Sequence, residues 1–221
     1  MRLLKLFFLI FAFSFFGQIH AQETNNSTID PPVTLEFLAG NNRLFSQLIL
    51  NRNISNNNKF RLLSVSSFAA DYENNFSRSE YFSLSTLNYI FTKGISINLG
   101  GTFNTAEGLK PLIGMQYTHA GKELLVVYLP AYYFLHSPKI FNLLILEYNP
   151  KIKENWSSYS RIQANFQYDF SSDNHFRSYL YLRLGATYNN TTFGVGANLD
   201  RYGEKRIFYE NYGAFIKLNF K

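Results

Sequence analysis

The sequence predicts an all-β fold, a transmembrane, antiparallel, up-and-down β-barrel of about twelve strands, and three observations carry that expectation. From Val33 onward, apolar and polar residues alternate with period two in segment after segment. Aromatic residues make up 18% of the 221 and charged residues only 16%, with 23 Phe and 16 Tyr, a balance that suits a membrane surface better than a soluble one. Beyond the N-terminus no apolar run reaches the ~20 residues that cross a bilayer as a helix. The longest such run, Leu124 to Leu135, is interrupted by Pro130, so any span has to be a strand.

The elements follow in chain order. Arg2 and Lys5 precede an apolar run from Leu6 to Phe16, and Gln18-Ile19-His20-Ala21 ends in a small residue, the layout of a signal peptide cleaved after Ala21. An uncleaved anchor would need a longer apolar run than this one. Residues 22–32, rich in Asn and closed by Pro31-Pro32, read as a polar tail, and 33–221 as the barrel, with no second domain. Strands are expected at Val33–Ala39, Arg43–Asn51, Phe60–Tyr72, Tyr81–Thr92, Ile95–Asn104, Leu112–His119, Leu124–Phe134, Phe141–Tyr148, Ser160–Phe170, Arg177–Tyr188, Thr191–Asp200 and Tyr212–Phe220. The alternative is ten strands, with everything before Lys59 as a tail or plug. Lys93-Gly94, Gly121-Lys122 and Asn189-Asn190 are tight turns, whereas Glu73–Ser79, Thr105–Lys110, Ser171–Phe176 and Arg201–Arg206 are longer polar connections. Short turns at one end and longer ones at the other are the habit of membrane barrels. Pro150–Asn155 and Arg52–Lys59 break the pattern, being long yet on the tight-turn side.

Alternation does not by itself tell inside from outside; the content of the polar face does. A soluble exterior should be rich in Lys and Glu, but the polar faces here hold Asn, Gln, Ser, Thr, Gly and Tyr with scattered Arg, as suits a barrel interior. The apolar faces carry Tyr168, Tyr188, Phe193, Tyr212 and Phe220 near strand ends, where aromatic girdles sit. A periplasmic β-sandwich or soluble barrel is the competing fold. The faces of strands Phe60–Tyr72 and Leu124–Phe134 are ambiguous, so their orientation is open.

The C-terminal stretch Tyr212-Gly-Ala-Phe-Ile-Lys-Leu-Asn-Phe220 resembles the last strand of bacterial outer-membrane β-barrel proteins, which usually ends in an aromatic residue; Lys221 following it is a departure. The resemblance covers nearly all of the chain after residue 21. It implies a Gram-negative outer-membrane location, insertion by the barrel-assembly machinery and outer-membrane lipid as surroundings. Richness in Asn, Lys and Ile also resembles small barrels of Bacteroidota.

Chemistry is sparse. The absence of cysteine excludes a lipoprotein anchor, thiol catalysis and a Cys-based zinc site. His136-Ser137 and Ser171-Ser172-Asp173-Asn174-His175 lie in loops where outer-membrane phospholipase, lipid A deacylases or omptin proteases could place catalytic groups, but match no motif of those families. His119, His136 and His175 lack paired ligand spacing, so no metal and no cofactor is expected, and basic residues form no run for nucleic acid. No enzyme is expected. What remains is the lumen, where Arg161, Asp169, Arg183, Asp200 and Lys217 fall on inward faces, with Arg177 and Arg43 near the ends. Asp169 and Arg177 are placed to pair across their hairpin. A narrow passive pore for small solutes with weak anion preference is therefore expected, resembling small porins that pass acidic oligosaccharides but with fewer arginines. The alternative is a non-conducting structural or binding barrel, in which the charges pair and fill the interior.

Overall fold

The structure, a computed structural model, describes residues 30–54, 58–73, 79–134 and 138–220. The expected signal peptide, most of the tail and His136 lie outside them. Thirteen strands run β1 Val33–Gly40, β2 Arg43–Asn53, β3 Phe60–Asp71, β4 Glu80–Thr92, β5 Ile95–Asn104, β6 Gly108–Ala120, β7 Leu124–Tyr133, β8 Lys139–Tyr148, β9 Lys151–Lys153, β10 Trp156–Asp169, β11 Asn174–Tyr188, β12 Thr191–Tyr202 and β13 Ile207–Phe220. Each long strand pairs antiparallel with its sequence neighbours, and β1 pairs with β13 from Val33↔Phe220 to Gly40↔Gly213, which closes the sheet. Both expected N-terminal strands are staves of the barrel, so the twelve-strand reading holds and the ten-strand one does not.

The thirteenth strand is not an extra stave. Tyr148 opposes Ser160 and Lys151 opposes Ser157, with Ser158 N–H bonded to the Pro150 carbonyl at 3.0 Å, so β9 continues β8 along β10 in the same register as far as Lys151, and a bulge then sets Lys153 opposite Trp156. Pro150 has no N–H to give the ladder, and the strand is interrupted there for that reason. The Pro150–Asn155 connection therefore shrinks to a tight turn at Glu154-Asn155. At the opposite end the strands extend into the connections expected to be long: β6 starts at Gly108, β11 at Asn174, and β12 reaches Tyr202. The difference between the two ends is smaller than the sequence suggests, because turn-rich composition there does not prevent ladder pairing.

The outer wall is apolar. Phe37, Leu48, Leu87, Leu99, Ile113, Ile162, Leu184 and Val195 are all exposed, Leu184 by 65%. Aromatic residues gather at both rims, with Trp156 against Tyr188 and Phe193 at the tight-turn end and Tyr81 against Phe103 at the other. The polar face is the interior, so the molecule is inside-out relative to a soluble barrel.

The cross-section is flattened. A round barrel of twelve strands would hold opposite walls ~20–25 Å apart, yet Arg177 on β11 forms an ion pair with Glu80 on β4, which stands opposite it in the strand order. No arginine and glutamate span the diameter of a round barrel. The folds that permit this lie at two opposed places. On β11 and β12, Gly185 faces Gly194, and a Cβ at Gly185 would sit 2.2 Å from the Phe193 carbonyl oxygen. Gly213 on β13 faces Gly196 and Gly40, and its Cβ would meet the Ala39 carbonyl at 1.9 Å. Across the barrel, Gly100 on β5 and Gly114 on β6 make the same close approaches to Ser85 and Pro130. Glycine at these corners lets neighbouring backbones fold sharply together.

Between the corners two walls face each other as in a sandwich. Leu38, Phe45, Leu63, Val65 and Leu84 on β1–β4 are buried against Leu129, Leu143, Ile145, Tyr159 and Tyr181 on β7–β11. Phe45 and Tyr181 meet edge-on at 5.3 Å. The two strands whose orientation the sequence leaves open, β3 and β7, supply Leu63, Val65, Val127 and Leu129 to this interior core. Their faces resist reading because the inner one fills the lumen with apolar residues while, on β3, the outer one carries Ser64 and Ser66, which bond Ser85 and Ser83 at 3.0 and 2.9 Å.

Candidate functional site

The interior charges form connected pairs between the walls. Glu36 on β1 receives Arg161 Nη2 at 2.8 Å and Arg183 Nε at 2.8 Å, both from the far wall. Arg183 also donates to Asn198 Oδ1 at 2.8 Å. Lys217 reaches Glu147 Oε2 at 2.9 Å and the Tyr159 hydroxyl at 3.0 Å. Strand alternation aims these residues inward; the flattened section brings them within reach. Arg161 and Glu36 are each 1% exposed, so this waist is shut by side chains.

Nearer the loop end, Arg177 pairs with Glu80 and with Asp200 at 3.3 Å, and Arg43 reaches Asp200 at 3.4 Å. Tyr202 and Tyr181 donate to Glu80 and Asp200 at 2.6 Å and 3.1 Å. Asp169 lies 3.6 Å from Lys139, and Lys139 also pairs with Glu107. The expected Asp169–Arg177 pair does not form. A bulge between Gln167 and Tyr168 shifts the hairpin register, so Arg177 opposes Gln167 and points toward β4.

Arg161, Asp169, Arg183, Asp200 and Lys217 thus all lie inside the barrel with named acid or base partners. Sequence reading names Arg177 and Arg43, the partners of Asp200, but misses the other partners, Glu36, Glu80, Glu147 and Lys139. Glu36 was legible as the inward alternate of Thr34 and Leu38 on β1, whereas Glu147 and Glu80 sit at strand ends where alternation gives little direction.

Two cavities flank the waist. One, of ≈ 590 Å³ at the tight-turn end, is bounded by Asp30, Arg52, Glu147, Tyr159 and Lys217. The other, of ≈ 690 Å³ at the loop end, is bounded by Arg43, Asp71, Tyr72, Glu80, Tyr202 and Tyr209. They share no lining residue.

These features define a class: a closed, inside-out β-barrel with an apolar belt, two aromatic rims and an ion-paired interior. No family model matches the chain, and no curated protein matches it. Among solved structures it is similar to the KdgM porin (12% identity, 86% of this chain and 99% of that one, TM-score 0.45). It is also similar to the NanC porin (11%, 86% and 99%, TM-score 0.48) and to a bacterial polysaccharide outer membrane secretin (10%, 80% and 70%, TM-score 0.41). Likeness at this level assigns no activity, and the functional reading rests on the chain's own geometry.

Proposed function

We propose that the chain is an integral outer-membrane barrel, exported by a signal peptide cleaved after Ala21 and inserted by the barrel-assembly machinery, whose lumen is closed at the waist in the conformation described. The observation that carries the closed reading is wall-to-wall pairing of Glu36 with Arg161 and Arg183 above a buried apolar core. The apolar belt and aromatic rims support the membrane reading, because exposing such a surface to water would be costly. Purified, folded protein in a planar bilayer should give no steady porin-sized conductance. Steady steps of that size from the unmodified chain would overturn the closed state.

A second reading, a narrow pore with weak anion preference, draws on one observation: the waist is polar and carries three bases, Arg161, Arg183 and Lys217, against Glu36 and Glu147. Rings of basic side chains favour anions, and an excess this small is weakened further by salt, with a Debye length of ~10 Å at 0.1 M. This reading expects small steps with a reversal potential shifted toward the anion, a shift that Arg161→Glu with Arg183→Glu reverses.

A further inference from the structure

The bulge that redirects Arg177 has a second effect, on the outside of the barrel. In a regular strand His175 and Ser178, at odd spacing, would point to opposite faces. Here Gln167 opposes Arg177 but Tyr168 opposes His175, so Phe176 is the extra residue. Phe176 turns inward, its ring under the Lys139 ammonium at 3.5 Å, and His175 comes to the side of Phe166 and Ser178, itself only 8% exposed beneath them while Phe166 lies on the outer face. Bulges of this kind re-aim side chains and recur next to active sites.

The result is a hydrogen-bonded pair, with His175 Nε2 3.0 Å from Ser178 Oγ. His175 Nδ1 lies 2.9 Å from the Gly203 carbonyl oxygen, which only accepts, so the proton sits on Nδ1 and Nε2 is left free to accept the Ser178 hydroxyl proton. Nucleophile, base and orienting acceptor are all present. Directly opposite Ser178 on β12 stands Arg201, an exposed cation on the same face whose guanidinium rests over the Phe208 ring of β13 at 5.8 Å and has to swing from it to reach Ser178. Below Ser178 along the same outward row, Leu182 and Leu184 open into an outer-face groove of ≈ 660 Å³, lined with Ile162, Val195 and Tyr212. At a rise of ~3.3 Å per residue the groove starts ~13 Å from Ser178, and its lining here is apolar, as an acyl chain requires.

We propose that this outer face is an acyl-ester hydrolase site for a membrane lipid. Ser178 Oγ adds to the ester carbonyl carbon as its proton passes to His175 Nε2, and Arg201 faces the negative charge that develops on the carbonyl oxygen. Collapse breaks the carbon–oxygen bond of the ester, and the departing alkoxide takes the proton from His175. A water molecule, giving its proton to Nε2, then cleaves the acyl–Ser178 ester, which frees the fatty acid and restores the serine. The site needs the lipid-facing reading of the outer wall but not a closed lumen, so conductance measurements and the test below fail independently.

The test is purified barrel in mixed micelles of detergent and phosphatidylethanolamine. Fatty acid should be released, and a fluorophosphonate probe should label Ser178, located by mass spectrometry. Ser178→Ala should abolish both, and His175→Ala should lower the release rate ~100-fold or more, each with unheated gel mobility showing a folded barrel. His119→Ala, far along the wall on β6, should change neither. Folded wild-type protein that neither releases fatty acid nor takes the probe, or labelling that persists in Ser178→Ala, would overturn the proposal.

Discussion

Glu36 holds two guanidinium groups that have no route to water, and its loss should be felt beyond a single hydrogen bond. Removing one partner of a buried pair leaves charge uncompensated at a cost of ~3–5 kcal/mol. Glu36→Gln should therefore lower the unfolding free energy by that order, read as a fall in the urea midpoint at unchanged slope by the fluorescence of Trp156. Exchanging Glu36, Arg161 and Arg183 together for Leu should recover much of the loss, because it leaves no buried guanidinium without its acid and a well-packed apolar replacement of a whole triad is often neutral. Residue identity was the least legible level in the sequence. Inward bases could be picked out by alternation, but their acids come from strands far away in the chain, and alternation says nothing about which strands face each other.

The strands themselves were readable in their middles, since period two persists wherever one face is the apolar outer wall and the other meets polar groups, but β10 and β13 begin at Trp156 and Ile207, four and five residues before the expected Ser160 and Tyr212. Where the lumen is filled by leucine, as on β3 and β7, the contrast between faces vanishes and orientation cannot be read. Adjacent residues on β6 give a direct check. Leu112 is buried in the interior and Ile113 is exposed on the outer wall. Ile113→Arg should cost ~2–4 kcal/mol at mid-strand and lower the yield of assembled barrel in membranes. Leu112→Ala should cost ~2–5 kcal/mol through the cavity it opens, with little effect on membrane partition. Equal tolerance of both changes would contradict the inside-out assignment. The corners offer another test at this scale: Gly185→Val puts a branched Cβ where the Phe193 carbonyl already sits, so it should block folding or force the section open. Glycines were visible in the sequence as breaks in alternation, yet their pairing across ladders is a property of register, which single-sequence reading does not supply.

For the molecule as a whole, flattening decides what the interior can be. Two walls in contact form a packed core between them, and the charged pairs act as struts. Arg177→Ala with Glu80→Ala removes the strut between opposed strands β4 and β11. With the Glu36 waist and the apolar core left in place, the double variant should lower the unfolding free energy without giving porin-sized conductance in a bilayer, at unchanged gel mobility. The closed topology has a further consequence, in the order of assembly. Every ladder but one joins strands that are neighbours along the chain; the exception is β1 with β13, which joins Val33 to Phe220. Hairpins can form locally and early, but this seam requires the two ends of the sheet to meet, and closing so long a loop is the entropically slow event. Until it closes, β1 and β13 each present an unpaired edge to any other chain. A circular permutant joined across the present ends and opened at Lys93-Gly94 would move that late, vulnerable step to β4 and β5, leaving the finished barrel the same and changing only which edges wait longest.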